Sequence, residues 1–345
     1  MRVLLVGIGE SYHVGAFFCK ALAALGHEYV FVDESAYPQP LAHFRFHNLA
    51  YRLLGKRPLT YWKFNSDILK CAQEFKPETV LVTGGCHVSP QTLAEIRANT
   101  GAVLVNYATD DPFNPSHSSS HLLGGIRLYD LYACTKRAII ADVRRAGCPN
   151  VYFVPFAYEP SLHFPESPSS EEDCSRFDSD VAFVGGGDPD RFPYFRALAE
   201  AIPSLRLDLY GGYWGRDRCL RCYDRGMATG RRFRLALGGT RVAPGLVRRV
   251  NRDGHSMRSF EIPACAAFGI FERTDEHLEM FDDGKYAAFF SSAEELVDKV
   301  KYFLRHDGDR RRMAEAAHRR ITEGANTYRD RLEQILKLAE PLRAG

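Results

Sequence analysis

Apolar residues fall along this chain in short unbroken runs, separated by segments of helical spacing. Residues 3–6, 29–32, 80–83, 103–106, 131–135 and 151–154 are runs of four or five mostly apolar positions. Continuous runs of that length read as parallel strands buried on both faces. Between the first two, Phe17, Phe18, Leu22 and Leu25 recur at helical spacing within residues 14–25. Further helices are predicted at about 66–75, 90–98 and 137–146. This alternation is the βαβ rhythm of a doubly wound parallel sheet. The rhythm breaks at 159–178, a stretch rich in Pro, Ser and acids that reads as an exposed linker. It then restarts, with strands at 180–184, 205–209 and 268–271. Helices are predicted at 192–201, after Ser259, at 293–304 and at 309–323. The expected fold class is therefore α/β, with two Rossmann-like units in series. Ligands are expected where the C-terminal ends of the strands face the cleft between them.

Composition changes this picture little. A length of 345 residues with 45% hydrophobic content suits two globular α/β domains. No run of 18 or more apolar residues occurs, so no membrane span is expected. The opening MRVLLVGIGESYHVG leads into a glycine turn and reads as a buried first strand, not a signal peptide. The expected location is the cytoplasm. Nine cysteines at irregular spacing fit free thiols in a reducing compartment. Cys219 and Cys222 form a lone CxxC with no second pair nearby, so no metal is expected there. A formal net charge of +2 argues against a dedicated nucleic-acid binder. Twelve arginines nonetheless lie between Arg216 and Arg258, against Asp217, Asp224 and Asp253. Most would line a solvated face, and one or two could wall a pyrophosphate site.

Candidate chemistry gathers at the turns after the strands. Gly7 and Gly9 follow the first strand as a partial dinucleotide fingerprint, its third glycine displaced to Gly15. Asp33 closes the second strand, where a ribose-binding acid would stand. His13 is either a capping or packing histidine, or a group contacting the transferred sugar or the acceptor hydroxyl. Asp110 and Asp111 follow another strand as turn residues, or as groups orienting acceptor hydroxyls. They are not spaced as a metal-binding D-x-D pair. Gly185, Gly186 and Gly187 let a ligand approach the backbone, and the following helix directs its positive end there. Arg191 could add a charge-assisted bond. Ser259 is expected to cap a helix holding Glu261 and Pro263 in its first turn. A glutamate so placed can accept both ribose hydroxyls.

The motifs VAFVGGGDPDR, LYGGYW, NRDGHSMRSFEIPA, ERTDEHLEMF and TYRDR span about 181–336. They resemble the family 1-like glycosyltransferase C-terminal domain of the CgeB-like, spore-maturation group. The resemblance implies a GT-B fold, with residues 1–155 an acceptor domain, 156–177 a linker and 178–325 a nucleotide-sugar donor domain. Residues 326–345 would then carry a final helix crossing back to the first domain. It also implies donor-binding roles for Tyr213, Asp253, His255, Arg258, Glu261, Thr274 and Glu279, beside Gly9, Gly185 to Gly187 and Arg191. Glu261 matches the second acid of the E-x7-E signature of retaining enzymes, and Asp253 stands in place of the first. The expected activity is a metal-independent, hexosyltransferase-type transfer from a nucleotide-diphosphate sugar to an unidentified acceptor, with no separate cofactor. The catalytic candidates are His13, Asp110 and Asp111. A nucleotide-sugar epimerase and a non-catalytic nucleotide-sugar binder remain as alternatives. An epimerase would turn over donor without an acceptor.

Overall fold

The computed structural model describes residues 1–37, 51, 55–116 and 118–343. It divides into two compact units. The first comprises residues 1–156, 250–252 and 328–345, of which 344 and 345 lie outside the described residues. Its six-stranded sheet has the order β2-β1-β3-β4-β5-β6. The strands are β1 (Arg2–Gly7), β2 (Glu28–Asp33), β3 (Thr79–Thr83), β4 (Val103–Ala108), β5 (Leu131–Cys134) and β6 (Asn150–Phe153). All pairs are parallel. Every residue of β3, β4 and β5 is buried, which is why these strands stand out as apolar runs. The helix expected at 66–75 begins earlier, at Tyr61, where Tyr61 and Phe64 pack into the core.

The second unit comprises residues 157–249 and 253–327. Its five-stranded sheet has the order β11-β10-β9-β7-β8. The strands are β7 (Ser179–Val184), β8 (Leu207–Tyr210), β9 (Thr240–Gly245), β10 (Gly269–Glu272) and β11 (Ala288–Phe290). The sequence reading did not contain β9, although it is central. Arg241, Pro244 and Gly245 interrupt its pattern. Pro244 is tolerated because β9 pairs with β7 only through Thr240 and Val242, so its missing N–H falls beyond that ladder.

The acidic stretch after the first unit is not simply an exposed linker. It contains the helix Glu171–Phe177. Glu166 accepts from Arg231 Nε at 2.8 Å and Arg234 Nε at 2.7 Å. Two of the twelve arginines are thereby spent on tying this segment to its own unit. Among the described residues, no helix is long and apolar enough to cross a membrane.

Candidate functional site

In the second unit, β7 and β8 end side by side in glycine turns that lock each other. Gly185 N donates to Tyr210 O at 2.8 Å, and Gly187 N donates to Gly212 O at 2.8 Å. The buried Trp214 indole donates to Gly185 O at 2.9 Å. A Cβ on Gly185 would meet the Phe183 ring at 2.8 Å, and one on Gly187 would meet Trp214 at 3.0 Å. At Gly186 the nearest atom would be 3.7 Å away. Two glycines therefore serve packing, and the middle one leaves backbone open to approach. Tyr213 follows with φ 75° and is 60% exposed. The Arg216 guanidinium sits 4.1 Å from that ring centroid.

Two guanidinium groups, those of Arg191 and Arg258, meet at this edge. Arg191 Nη1 donates to Gly186 O at 2.8 Å and pairs with Asp188 at 3.3 Å. Its pKa is lowered, mainly by burial and then by the nearby charges of Arg248 and Arg258, with Asp188 opposing. Arg248 was not singled out from the sequence, where it is one arginine of twelve. Arg258 Nε donates to Val184 O at 2.6 Å, and its Nη1 pairs with Glu261. Glu261 is 2% exposed. Its other oxygen lies 3.4 Å from His163 Nε2. His163 Nδ1 accepts from Glu159 N at 3.0 Å, so the neutral ring carries its proton on Nε2, toward Glu261. Burial lowers the His163 pKa, with Glu261 opposing. His163 lies in the Pro- and Ser-rich stretch, and no local pattern marked it.

Ser259 does not cap the helix at 258–264. The helix runs Arg258–Ala264 behind Met257, and Pro263 lies near its end rather than in its first turn. The Ser259 hydroxyl accepts from Ser256 N at 3.1 Å and donates to His277 Nε2 at 2.8 Å. Other expected donor residues are held in structural contacts. Asp253 accepts from Arg248 N at 3.2 Å. His255 is buried and bonds Glu276 at 2.5 Å. Thr274 donates to Gly254 O at 2.5 Å and accepts from His277 N at 3.1 Å, capping the helix Asp275–Met280. Glu279 is exposed on that helix.

In the first unit, Gly9 N donates to Asp33 Oδ1 at 2.8 Å, and Ser35 N donates to the same oxygen at 2.9 Å. A Cβ on Gly9 would strike the Asp33 carboxylate at 2.3 Å. The Asp33 carboxylate thus braces the glycine turn. His13 precedes the helix Val14–Ala24 without a side-chain capping bond. Burial lowers its pKa, against the raising influence of Glu10, Asp110 and Asp33. Asp110 accepts from Asn251 Nδ2 at 3.1 Å. Asp111 is buried and receives both Arg252 Nε at 2.6 Å and Nη2 at 3.0 Å. That bidentate pair fixes the 250–252 segment to this unit. The structure thus gathers Gly185 to Gly187, Arg191, Arg258 and Glu261 in one unit, and His13 and Asp110 in the other. Among the described residues, no group of three or more His, Cys, Asp or Glu is placed to hold a metal ion.

Residues 192–337 match the family model described as glycosyl transferase-like. No curated protein matches the chain. Solved structures match it over its whole length. Sucrose-phosphate synthase from Thermosynechococcus elongatus aligns at 12% identity and TM-score 0.71, covering 100% of this chain and 99% of that one. Anabaena HepE, solved in complex with UDP-glucose, aligns at 13% identity and TM-score 0.67, covering 100% of both chains. A glycosyltransferase from Rickettsia africae aligns at 12% identity and TM-score 0.66, covering 100% and 99%. The fold is that of GT-B glycosyltransferases.

Proposed function

We propose that this chain is a glycosyltransferase that takes a hexose-type sugar from a nucleoside-diphosphate sugar held by the second unit. The observation that carries the reading is the placement of Arg191 on Gly186 O and of Arg258 on Val184 O, both beside the Gly185 to Gly187 turn. Guanidinium groups beside an open backbone turn suit a diphosphate. Glu261, pinned from both sides, is the ribose acceptor in this reading, and Tyr213 is a candidate wall for the base. Transfer breaks the bond between the anomeric carbon and the diphosphate oxygen as the acceptor oxygen bonds that carbon. The acceptor hydroxyl proton leaves, with His13 or Asp110 the candidate groups to receive it. The arginines take up the leaving-group charge, so no divalent metal is required. The resemblance to the CgeB-like group supports the same reading, and the HepE complex makes UDP-glucose the first donor to test.

The test is isothermal titration with UDP, other nucleoside diphosphates and their sugars, followed by donor turnover with and without EDTA. Binding of at least one donor is expected. Arg258→Ala should weaken it by about one to two orders of magnitude, since charged hydrogen bonds are worth roughly 1.5–3 kcal/mol. A folded protein that binds none of these nucleotides would overturn the reading. Activity abolished by EDTA would overturn the metal-independent part alone.

A further inference from the structure

All nine cysteines are free thiols, and three of them are exposed, Cys174, Cys219 and Cys222. The other six are buried or half-buried. Burial pushes the thiols of Cys19 and Cys148 up to about 11 and that of Cys265 up to about 12. Thiols held that far from the thiolate form react slowly. Cys174 stands alone on the helix Glu171–Phe177. Cys219 and Cys222 are spaced as a pair, and the proposed sugar transfer gives that pair no task.

The pair sits on a turn whose underside is fixed. Leu220, between the two cysteines, is fully buried. Asp217 Oδ1 accepts from Cys219 N at 2.9 Å and from Leu220 N at 3.1 Å, while the other oxygen pairs with Arg196. Arg221 N donates to Asp217 O at 3.0 Å, and Tyr223 N donates to Leu220 O at 3.0 Å. The chain passes here into the 3-10 turn Arg221–Tyr223. Residues three apart on helical turns share a face, with Cβ atoms roughly 5–6 Å apart, and they eclipse where the turn tightens to 3-10. A disulfide needs about 3.5–4.5 Å between Cβ atoms, so side-chain rotation with a small backbone shift closes the gap. Cys222 Sγ already lies 3.5 Å from Cys219 O. Arg216, Arg218, Arg221 and Arg225 are all exposed on the same segment. Their charge attracts a peptide disulfide that carries carboxylates.

We propose that Cys219 and Cys222 form a reversible dithiol–disulfide couple, oxidised by exchange with a low-molecular-weight peptide disulfide of the glutathione type. The Cys222 thiol is engaged with Cys219 O, so Cys219 attacks first. Its thiolate, having released its proton to solvent, bonds one sulfur of glutathione disulfide as the S–S bond breaks and one glutathione thiolate leaves. The Cys222 thiolate then bonds Cys219 Sγ and expels the second glutathione. Two protein thiols are oxidised, one disulfide is reduced to two thiols, and two protons end on glutathione. The new bond locks the turn above its Leu220 and Asp217 anchors. None of this depends on the transferase reading.

The full chain, equilibrated over a series of glutathione to glutathione disulfide ratios, then acid-quenched, alkylated and mapped by mass spectrometry, tests this. As the disulfide rises, the peptide holding Cys219 and Cys222 should lose two hydrogens, and dithiothreitol should restore them. Cys222→Ser should instead accumulate one glutathione on Cys219. In the oxidised protein the amides of Cys219, Leu220, Arg221 and Tyr223 should exchange roughly tenfold more slowly, because the closed loop restricts local opening. Near-UV circular dichroism reports whether each sample is folded, and Cys222→Ala provides the same comparison if the serine variant misfolds. Two glutathiones retained on the folded wild-type pair, or thiols that stay free across the series, would each overturn the proposal. So would a bond from either cysteine to Cys174 or to a second chain. Unchanged exchange in the oxidised protein would overturn the lock and leave the couple standing.

Discussion

Glu261 is a buried carboxylate with structural contacts to which the proposed function adds a ligand-binding role. Its contacts to Arg258 and His163 orient its oxygens and offset the cost of burying its charge. Glu261→Gln keeps the shape but removes the charge and turns one acceptor into a donor. Donor-nucleotide affinity should fall by about one to two orders of magnitude. The thermal midpoint should fall too, because Arg258 loses its carboxylate partner. Titration and calorimetry on the same sample separate the two effects. Unchanged affinity would reassign Glu261 to a purely structural role. The glycines make a sharper contrast. Gly186→Ala meets nothing closer than 3.7 Å, so stability should shift by less than about 0.5 kcal/mol while nucleotide affinity drops. Gly211 has φ 131°, and a Cβ there would lie 2.4 Å from Gly185 O. Gly211→Ala should cost more than about 2 kcal/mol from backbone strain alone before the clash is counted. If Gly186→Ala leaves affinity untouched, the open turn is not the diphosphate cradle.

At the scale of elements, β10 and the helix Arg258–Ala264 are joined through His277. Its Nδ1 donates to Glu272 O at 2.7 Å, and its Nε2 accepts from Ser259 Oγ. The second contact requires the neutral ring, because only there can Nε2 accept. Burial lowers its pKa to about 4. The unfolded chain therefore binds this proton first as pH falls. The contribution of His277 is fully present above about 6.5 and is lost progressively down to about 4. At roughly 1.4 kcal/mol per unit, the loss is on the order of 3 kcal/mol. His277→Gln should flatten the chemical-denaturation stability profile across that window, and an unchanged slope would refute the assignment. The same contact explains a boundary that sequence misplaced. Ser259 looked like a cap because serine before an acid is a capping pattern, but its hydroxyl is taken by a histidine eighteen residues later. Strands such as β1, β3 and β4 were legible because a strand buried on both faces needs an unbroken apolar run. Strand β9 was not, because local breakers hid a central position that only tertiary pairing explains. In the candidate site, the glycine turn was picked out by local pattern and Arg258 by the family resemblance. Arg248 and His163 were not, since each acquires its place only when distant segments fold together.

At the scale of the whole molecule, the chain enters the first unit three times, at residues 1–156, 250–252 and 328–345. The last entry is the helix Tyr328–Ala339, which packs on the helix Val14–Ala24. Tyr328 meets Phe17 at 4.7 Å and Phe18 at 6.1 Å between ring centroids. Tyr328, Leu332, Ile335 and Leu336 are all buried, and Arg331 Nε donates to Pro155 O and Phe156 O. Removing residues 328–345 exposes the apolar face of the first helix and deletes four large core side chains. Burial is worth roughly 1.5–3 kcal/mol for each, a total of about 6–12 kcal/mol. A domain is typically stable by only about 5–15 kcal/mol. The truncated chain should therefore lose the first unit's cooperative transition although nearly all of that unit's sequence is still present. The second unit keeps its own sheet and the arginine-lined turn, so nucleotide binding should persist. Amide hydrogen exchange resolved by peptide, beside a nucleotide titration, gives both answers in one preparation. Retained protection in β1, β3 and β4 would show that the final helix only decorates a unit already complete. Loss of nucleotide binding together with that protection would show that the second unit cannot hold its site without the first.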